Sequence, residues 1–233
     1  DQAAAAVAGM AKAYRPPVRG GRPLLGVTML GNTTPAVMRM KPALETLGYE
    51  VVIFHANGVG GRAMEAMIRE GRIAAVLDYT TDELTDHLVG GYHDGGPKRL
   101  EAAGELGLPQ VVVPACIDFI VQGGKATIPE KWQGRRSYYH NPQFTLVRTS
   151  RDEMAEVGRI MARKVNAARG PVAVAIPLGG LSIANRPGGE LFDPDGDAAF
   201  RAEFRRDLRA GIRVEEIDAH VNDERFTTRV VDI

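Results

Sequence analysis

The segment Gly58-Val59-Gly60-Gly61-Arg62 has the residue types to wrap a phosphate, since glycines admit close backbone approach and a guanidinium forks onto oxygens. The same residues also read as a tight turn, and they match neither the Walker loop nor the dinucleotide fingerprint. Thr33-Thr34 ahead of Pro35 offers amides at a helix start, which suit either a bound anion or plain capping. Asp78 follows an apolar run, where a carboxylate can hold a magnesium ion, bond a sugar hydroxyl, act as a base or cap the next helix. Asp118 is the polar candidate beside Cys116, a thiol that reads as a small buried hydrophobe before it reads as a nucleophile. His55, His140 and His220 lie far apart without metal-ligand spacing, so they enter as structural imidazoles or as acid/base groups. No metal site made of protein ligands alone is expected.

Apolar runs must position these groups. Leu24–Leu30, Val51–Ala56, Ile73–Leu77, Gln110–Pro114, Val172–Ile176 and Arg213–Ala219 read as six strands. Between them, spaced apolar residues such as Val37, Met40, Leu44 and Leu47, or Met154, Val157, Ile160, Met161 and Val165, mark helices. Pro42 is expected to kink the first of these. Thr80-Thr81-Asp82-Glu83 and Ser150-Arg151-Asp152-Glu153 match capping boxes, and a helix over Pro97 to Leu106 closes at Gly107. Gly188 to Asp197 reads as a turn and helix start rather than a calcium loop. Cys116 to Thr149 shows no period and is expected to lack regular structure, serving as a lid or an interface. Within it, Arg135 to Asn141 mixes guanidiniums with aromatics in a patch too short for a nucleic-acid platform.

Six strand–helix units predict a doubly wound, mostly parallel, Rossmann-like α/β domain over residues 22–233, with an amino-terminal helix and linker over 1–21. In such sheets the ligand sits beyond the carboxyl ends of the strands. The rim candidates are Gly31, Asn32, Thr33 and Thr34; His55, Asn57, Gly58, Gly60, Gly61 and Arg62; Asp78, Thr80 and Thr81; Cys116 and Asp118; Gly179, Gly180 and Ser182; and His220 with Asn222.

Composition narrows the partners. Lys+Arg 29 against Asp+Glu 29 gives zero formal charge, which argues against a global grip on nucleic acid or an anionic membrane. A single cysteine excludes an internal disulfide framework and fits a cytoplasmic location. The Ala-rich start is neither signal peptide nor membrane span, and the lack of an initiator Met suggests part of a longer polypeptide.

Five motifs occur together in order: Gly31-Asn-Thr-Thr-Pro35, Phe54 to Glu65, Asp78 to Glu83, Tyr139-His-Asn-Pro142 with Thr145 to Thr149, and His220-Val-Asn-Asp223. Together they resemble the family of the tomato mosaic virus resistance protein, over nearly the whole chain from Leu24. The resemblance implies two successive Rossmann-like halves, of which this chain looks like the second. It also implies an ATP-like nucleotide, with magnesium, or a similar phosphorylated ligand, at a site shared with the missing amino-terminal half, and a homo-oligomer. The chain departs from the family's pattern at Asn57, often Thr, and at Pro42. Three functions follow as expectations. One is a protein binding a phosphorylated small molecule at the rim. Another is an enzyme acting on a sugar-acid-like substrate through Asp78, Asp118, His140 or His220, and the third is a dimerisation half without its own ligand.

Overall fold

The computed structural model describes residues 2–14 and 21–233, so the linker expected before residue 22 lies largely outside the described residues. Elements run α1 (Gln2–Ala13), β1 (Leu24–Met29), α2 (Thr34–Thr46), β2 (Glu50–His55), α3 (Gly60–Arg69), β3 (Ala75–Thr80), α4 (Asp82–Val89) and α5 (Ala102–Leu106). They continue β4 (Gln110–Ala115), β5 (Phe119–Gln122), β6 (Ser137–Asn141), β7 (Phe144–Arg148), α6 (Arg151–Asn166), β8 (Val172–Pro177), α7 (Pro194–Asp207), β9 (Arg213–Ile217) and α8 (Glu224–Asp232). Six strands form one sheet in the order β2-β1-β3-β4-β8-β9, every neighbouring pair parallel. Among the described residues no helix is long and apolar enough to cross a membrane.

Parallel strands need crossovers, and the crossover helices bury both faces of the sheet. On one face Val27, Leu77 and Val113 pack with Val37 and Met40 of α2 and Phe226 and Val230 of α8. On the other, Val112, Val174 and Ile176 meet Met154, Val157 and Met161 of α6 and Phe200 and Phe204 of α7. Helix α2 runs unbroken through Pro42. The Ser150 box forms as read: its hydroxyl accepts the Glu153 amide at 3.2 Å and its own amide donates to the Glu153 carboxylate at 2.7 Å.

Four local expectations need correction. Cys116 to Thr149 is not structureless, because β5, β7 and β6 form a three-stranded antiparallel sheet. Strand β3 does not stop at Leu77; it carries Asp78, Tyr79 and Thr80 in fully buried positions, since Asp78 has a buried cationic partner described below. The Thr80 capping box does not form: Thr80 belongs to β3, Thr81 precedes α4 without a side-chain cap, and the Glu83 carboxylate turns to another loop. The helix expected from Pro97 shortens to α5, because Leu100 takes a left-handed φ of 67°. Glu65 of α3 then accepts the amides of Leu100 at 2.7 Å and Ala102 at 2.8 Å, which caps α5 from outside.

Candidate functional site

Beyond the carboxyl ends of β1 and β2, the small sheet encloses a pocket of about 230 Å3. Leu30, Gly31 and Asn32 line it from the turn after β1, and His55 and Asn57 from the end of β2. Val121, His140, Asn141, Phe144 and Leu146 come from the small sheet, and His93 completes the wall. Five residues singled out in the sequence therefore share one cavity: Gly31, Asn32, His55, Asn57 and His140. Asn32 is braced, its Oδ1 accepting the Ile183 amide at 3.3 Å and its carbonyl accepting from Asn222 Nδ2 at 2.8 Å. Asn57 Oδ1 accepts the Val59 and Gly60 amides at 3.3 and 3.4 Å, so this residue steadies the start of α3.

His93 escapes a reading of strand ends because it follows Gly90, Gly91 and Tyr92 rather than an apolar run. Its ring Nδ1 bonds Asp82 Oδ2 at 2.9 Å, and its backbone amide donates to Asp86 Oδ2 at 2.7 Å. Asp86 also accepts the Val121 amide of β5 at 3.1 Å, so one buried carboxylate ties the His93 loop to the small sheet. A usable sequence signal is the acidic pair Asp82 and Asp86, one turn apart on α4 and followed closely by a histidine.

Burial makes charge costly at this corner. Asp82 and Asp86 are fully buried, and burial pushes both carboxyls well above the usual range, Asp82 further through Glu83 and Asp86 further through Asp82. Burial likewise lowers His93, and it lowers His55, where the neighbouring His93 adds to the effect. Asp82 Oδ1 has no hydrogen-bond partner among the described residues.

Behind the pocket lies a fully buried guanidinium. Arg99 donates to both oxygens of Asp78 at 2.5 Å and to Glu83 Oε2 at 2.6 Å, with Glu65 at 3.7 Å. Burial opposes its charge, but these carboxylates outweigh burial and hold its pKa well above the usual value. Glu83 Oε1 meanwhile accepts the amides of Gly58 at 2.7 Å and Gly61 at 3.1 Å. The loop read as a phosphate cradle thus wraps an internal carboxylate. Gly61 is required there, since a Cβ would stand 1.8 Å from Glu83 Oε2. Arg62 donates to the carbonyls of Gly58 and Asp94, latching two loops, and is not a lining residue of the pocket.

The remaining candidates are structural neighbours of the pocket. Thr33 and Thr80 are buried with their hydroxyls 2.8 Å apart, Thr81 donates to the Val113 carbonyl, and Thr34 donates to the Leu30 carbonyl. Thr28 donates to Asp78 Oδ1 at 2.8 Å, so Asp78 is a buried counter-ion and not an open base or magnesium ligand. His220 accepts the Asn222 amide at Nδ1, and Nε2 lies 2.8 Å from the Ser182 carbonyl, an arrangement that suits the tautomer with its proton on Nε2. Gly180, at a φ of 131°, lets the chain pass where a Cβ would meet the Asn185 carbonyl at 1.8 Å; Gly179 packs against His220 in the same way. Cys116 is buried, and burial raises its thiol well above the usual value. Among the described residues no group of three His, Cys, Asp or Glu side chains is placed to hold a metal ion.

Asp118 is fully buried, accepts the Ser182 hydroxyl at 2.7 Å, and has no partner for Oδ1 among the described residues. Burial, opposed by Arg148 and reinforced by Asp197, pushes its pKa up to about 6. An unfolded aspartate titrates near 3.9, so between roughly pH 4 and 6 the folded chain holds a proton that the unfolded chain releases. This contribution to stability is present at low pH and is lost as pH rises through that window, on the order of 3 kcal/mol in all. Asp118→Asn is expected to remove that slope from denaturant midpoints measured between pH 4 and 7, gaining on the parent chain above pH 6.

Comparison with known proteins matches residues 22–233 to the family described as "Uncharacterised protein family (UPF0261) C-terminal domain". A UPF0261 protein of Clostridium tetani is 42% identical over 227 residues, covering 97% of this chain and 56% of the relative. The ToMV resistance protein Tm-1(GCR237) of Solanum lycopersicum is 38% identical over 217 residues, covering 92% of this chain and 29% of the relative. The chain thus spans little more than half the length of such bacterial relatives. Among solved structures, a Paleococcus ferrophilus monoacylglycerol lipase aligns with a TM-score of 0.45 and 13% identity, covering 91% and 95% of the two chains. That likeness concerns chain path alone.

Proposed function

The chain belongs to the UPF0261 family as its C-terminal domain, and from that premise we propose that the rim pocket moves a proton on a small, sugar-acid-like molecule, with His93 as the base. The observation that carries this is the Asp82–His93 pair, a buried carboxylate bonded to the ring nitrogen of a pocket-lining histidine. With Nδ1 held by Asp82, Nε2 is the ring's nitrogen for the cavity. Gly31 and Asn32 line the same cavity at the amino end of α2, where the helix's uncompensated amides favour the acid group of such a ligand. His55, His140 and Asn57 supply hydrogen-bond donors and acceptors suited to hydroxyls.

Proton abstraction next to a carboxylate leaves a direct signature. The full-length protein incubated in D2O with a panel of aldonic and uronic acids is expected to wash deuterium into one carbon-bound position of at least one compound, read by proton NMR. A panel showing neither exchange nor turnover overturns the reading.

Nucleotide binding is the second reading, and because the chain covers little more than half of such relatives' length we place that reading with the longer protein rather than with this half. The fit of ATP to this half is poor. Gly58 and Gly61 already hold Glu83, and a cavity of about 230 Å3 is small beside the 300 Å3 or more typical of ligand sites. Heat on titrating MgATP into this chain alone would overturn that assignment.

A further inference from the structure

A second groove of about 590 Å3 lies beside the rim pocket, lined by Tyr138, Ile183, Arg186, Gly189 and Glu190 among others. We infer that it binds a phosphate-type tail of the substrate whose acid end occupies the rim pocket, with Arg186 as the recognising cation. This rests on the sugar-acid reading above and adds the substrate's second charged end.

Two contacts join the cavities. Tyr138 of the groove and His140 of the pocket stand two residues apart on β6, with ring centroids 6.4 Å apart. Ile183 of the groove donates its amide to Asn32 Oδ1 of the pocket at 3.3 Å. Two residues along a strand span about 7 Å, so a ligand lying across β6 reaches both cavities with a chain of several carbons between its charged ends.

Arg186 stands out by what it lacks. The arginines around the pocket are committed: Arg99 to Asp78 and Glu83, Arg62 to backbone carbonyls, Arg148 to Asp197, Arg135 to Glu153. Arg186 is exposed and makes no ion pair among the described residues, including with Glu190 of the same groove. A planar guanidinium left open offers two parallel donors, which match a phosphate monoester better than a lone hydroxyl. Glu190 then serves as an acceptor for ligand hydroxyls, and the Tyr138 ring gives an apolar wall.

The test uses the full-length protein with gluconate, 6-phosphogluconate and inorganic phosphate as probes. In calorimetry 6-phosphogluconate is expected to bind about tenfold more tightly than gluconate or better. Arg186→Gln should bring the two probes to equal affinity, whereas His93→Gln should leave the phosphate advantage in place. Equal affinities in the parent protein, or an advantage that survives Arg186→Gln, overturn the groove assignment. Inorganic phosphate alone, followed at the Gly188 and Gly189 amides by 15N NMR, is expected to give saturable shifts that Arg186→Gln abolishes. Unmoved amides overturn the groove whatever becomes of the acid/base reading. Shifts with phosphate but no binding of either sugar acid sustain the groove and overturn the substrate class.

Discussion

Arg99→Met is expected to cost the fold about 3–5 kcal/mol, enough to consume much of a typical domain's stability. The size follows from what the substitution strands. Asp78 and Glu83 are 0–1% exposed at the side chain, and each loses the one cationic partner it has within 3 Å among the described residues. Methionine fills the volume but offers no donor, so buried carboxylates remain without a counter-charge. Glu83 would also keep its bonds to Gly58 and Gly61 while losing the group that fixes its other oxygen, which loosens the loop carrying Asn57 into the pocket wall. Urea denaturation followed by circular dichroism measures the loss. A triple variant, Arg99→Met with Asp78→Asn and Glu83→Gln, should recover part of it, because removing all partners of a buried network costs far less than removing one. A loss under about 1 kcal/mol for Arg99→Met would show that solvent reaches the cluster.

The same cluster explains why some of this architecture could be read from residue order and some could not. Strands β1, β2, β4 and β8 are short apolar runs bounded by Gly, Pro or Asn, and doubly covered strands announce themselves in that way. Strand β3 hides its last three residues because an aspartate and a threonine look like the start of a turn; only Arg99, 21 residues further on, makes Asp78 compatible with burial. Glu83 misleads for the same reason. Its spacing from Thr80 fits a local box, but a helix start elsewhere in the fold competes for the carboxylate and wins. The small sheet was illegible since β6 is polar and its strands pair out of order, so no alternation marks it. At the site, the rim principle located Gly31, Asn32, His55, Asn57 and His140, while His93 needed a tertiary fact, the return of the Gly90–Gly96 loop over α4.

Replacing either member of the Asp82–His93 pair is expected to lower deuterium exchange by about 100-fold to 10,000-fold, the range that a positioned acid/base group supplies. Where the proton goes decides the effect of each substitution. When His93 Nε2 accepts a proton, Nδ1 can pass its own to Asp82, so the pair ends as a neutral imidazole beside a neutral carboxyl. Burial raises Asp82 and lowers His93, and both trends favour that outcome over a buried imidazolium. His93→Gln removes the base outright. Asp82→Asn keeps the shape but cannot take the proton, and its amide can donate to Nδ1 and thereby fix the useless tautomer with hydrogen on Nε2. The two variants part company in stability. Asp82→Asn discharges a carboxylate that is fully buried and half-satisfied, so its denaturation midpoint should hold or rise even as exchange collapses. A purely structural role predicts the reverse pairing, exchange falling only as far as the fold is lost. Exchange within tenfold of the parent in folded Asp82→Asn would therefore remove the pair from the chemistry.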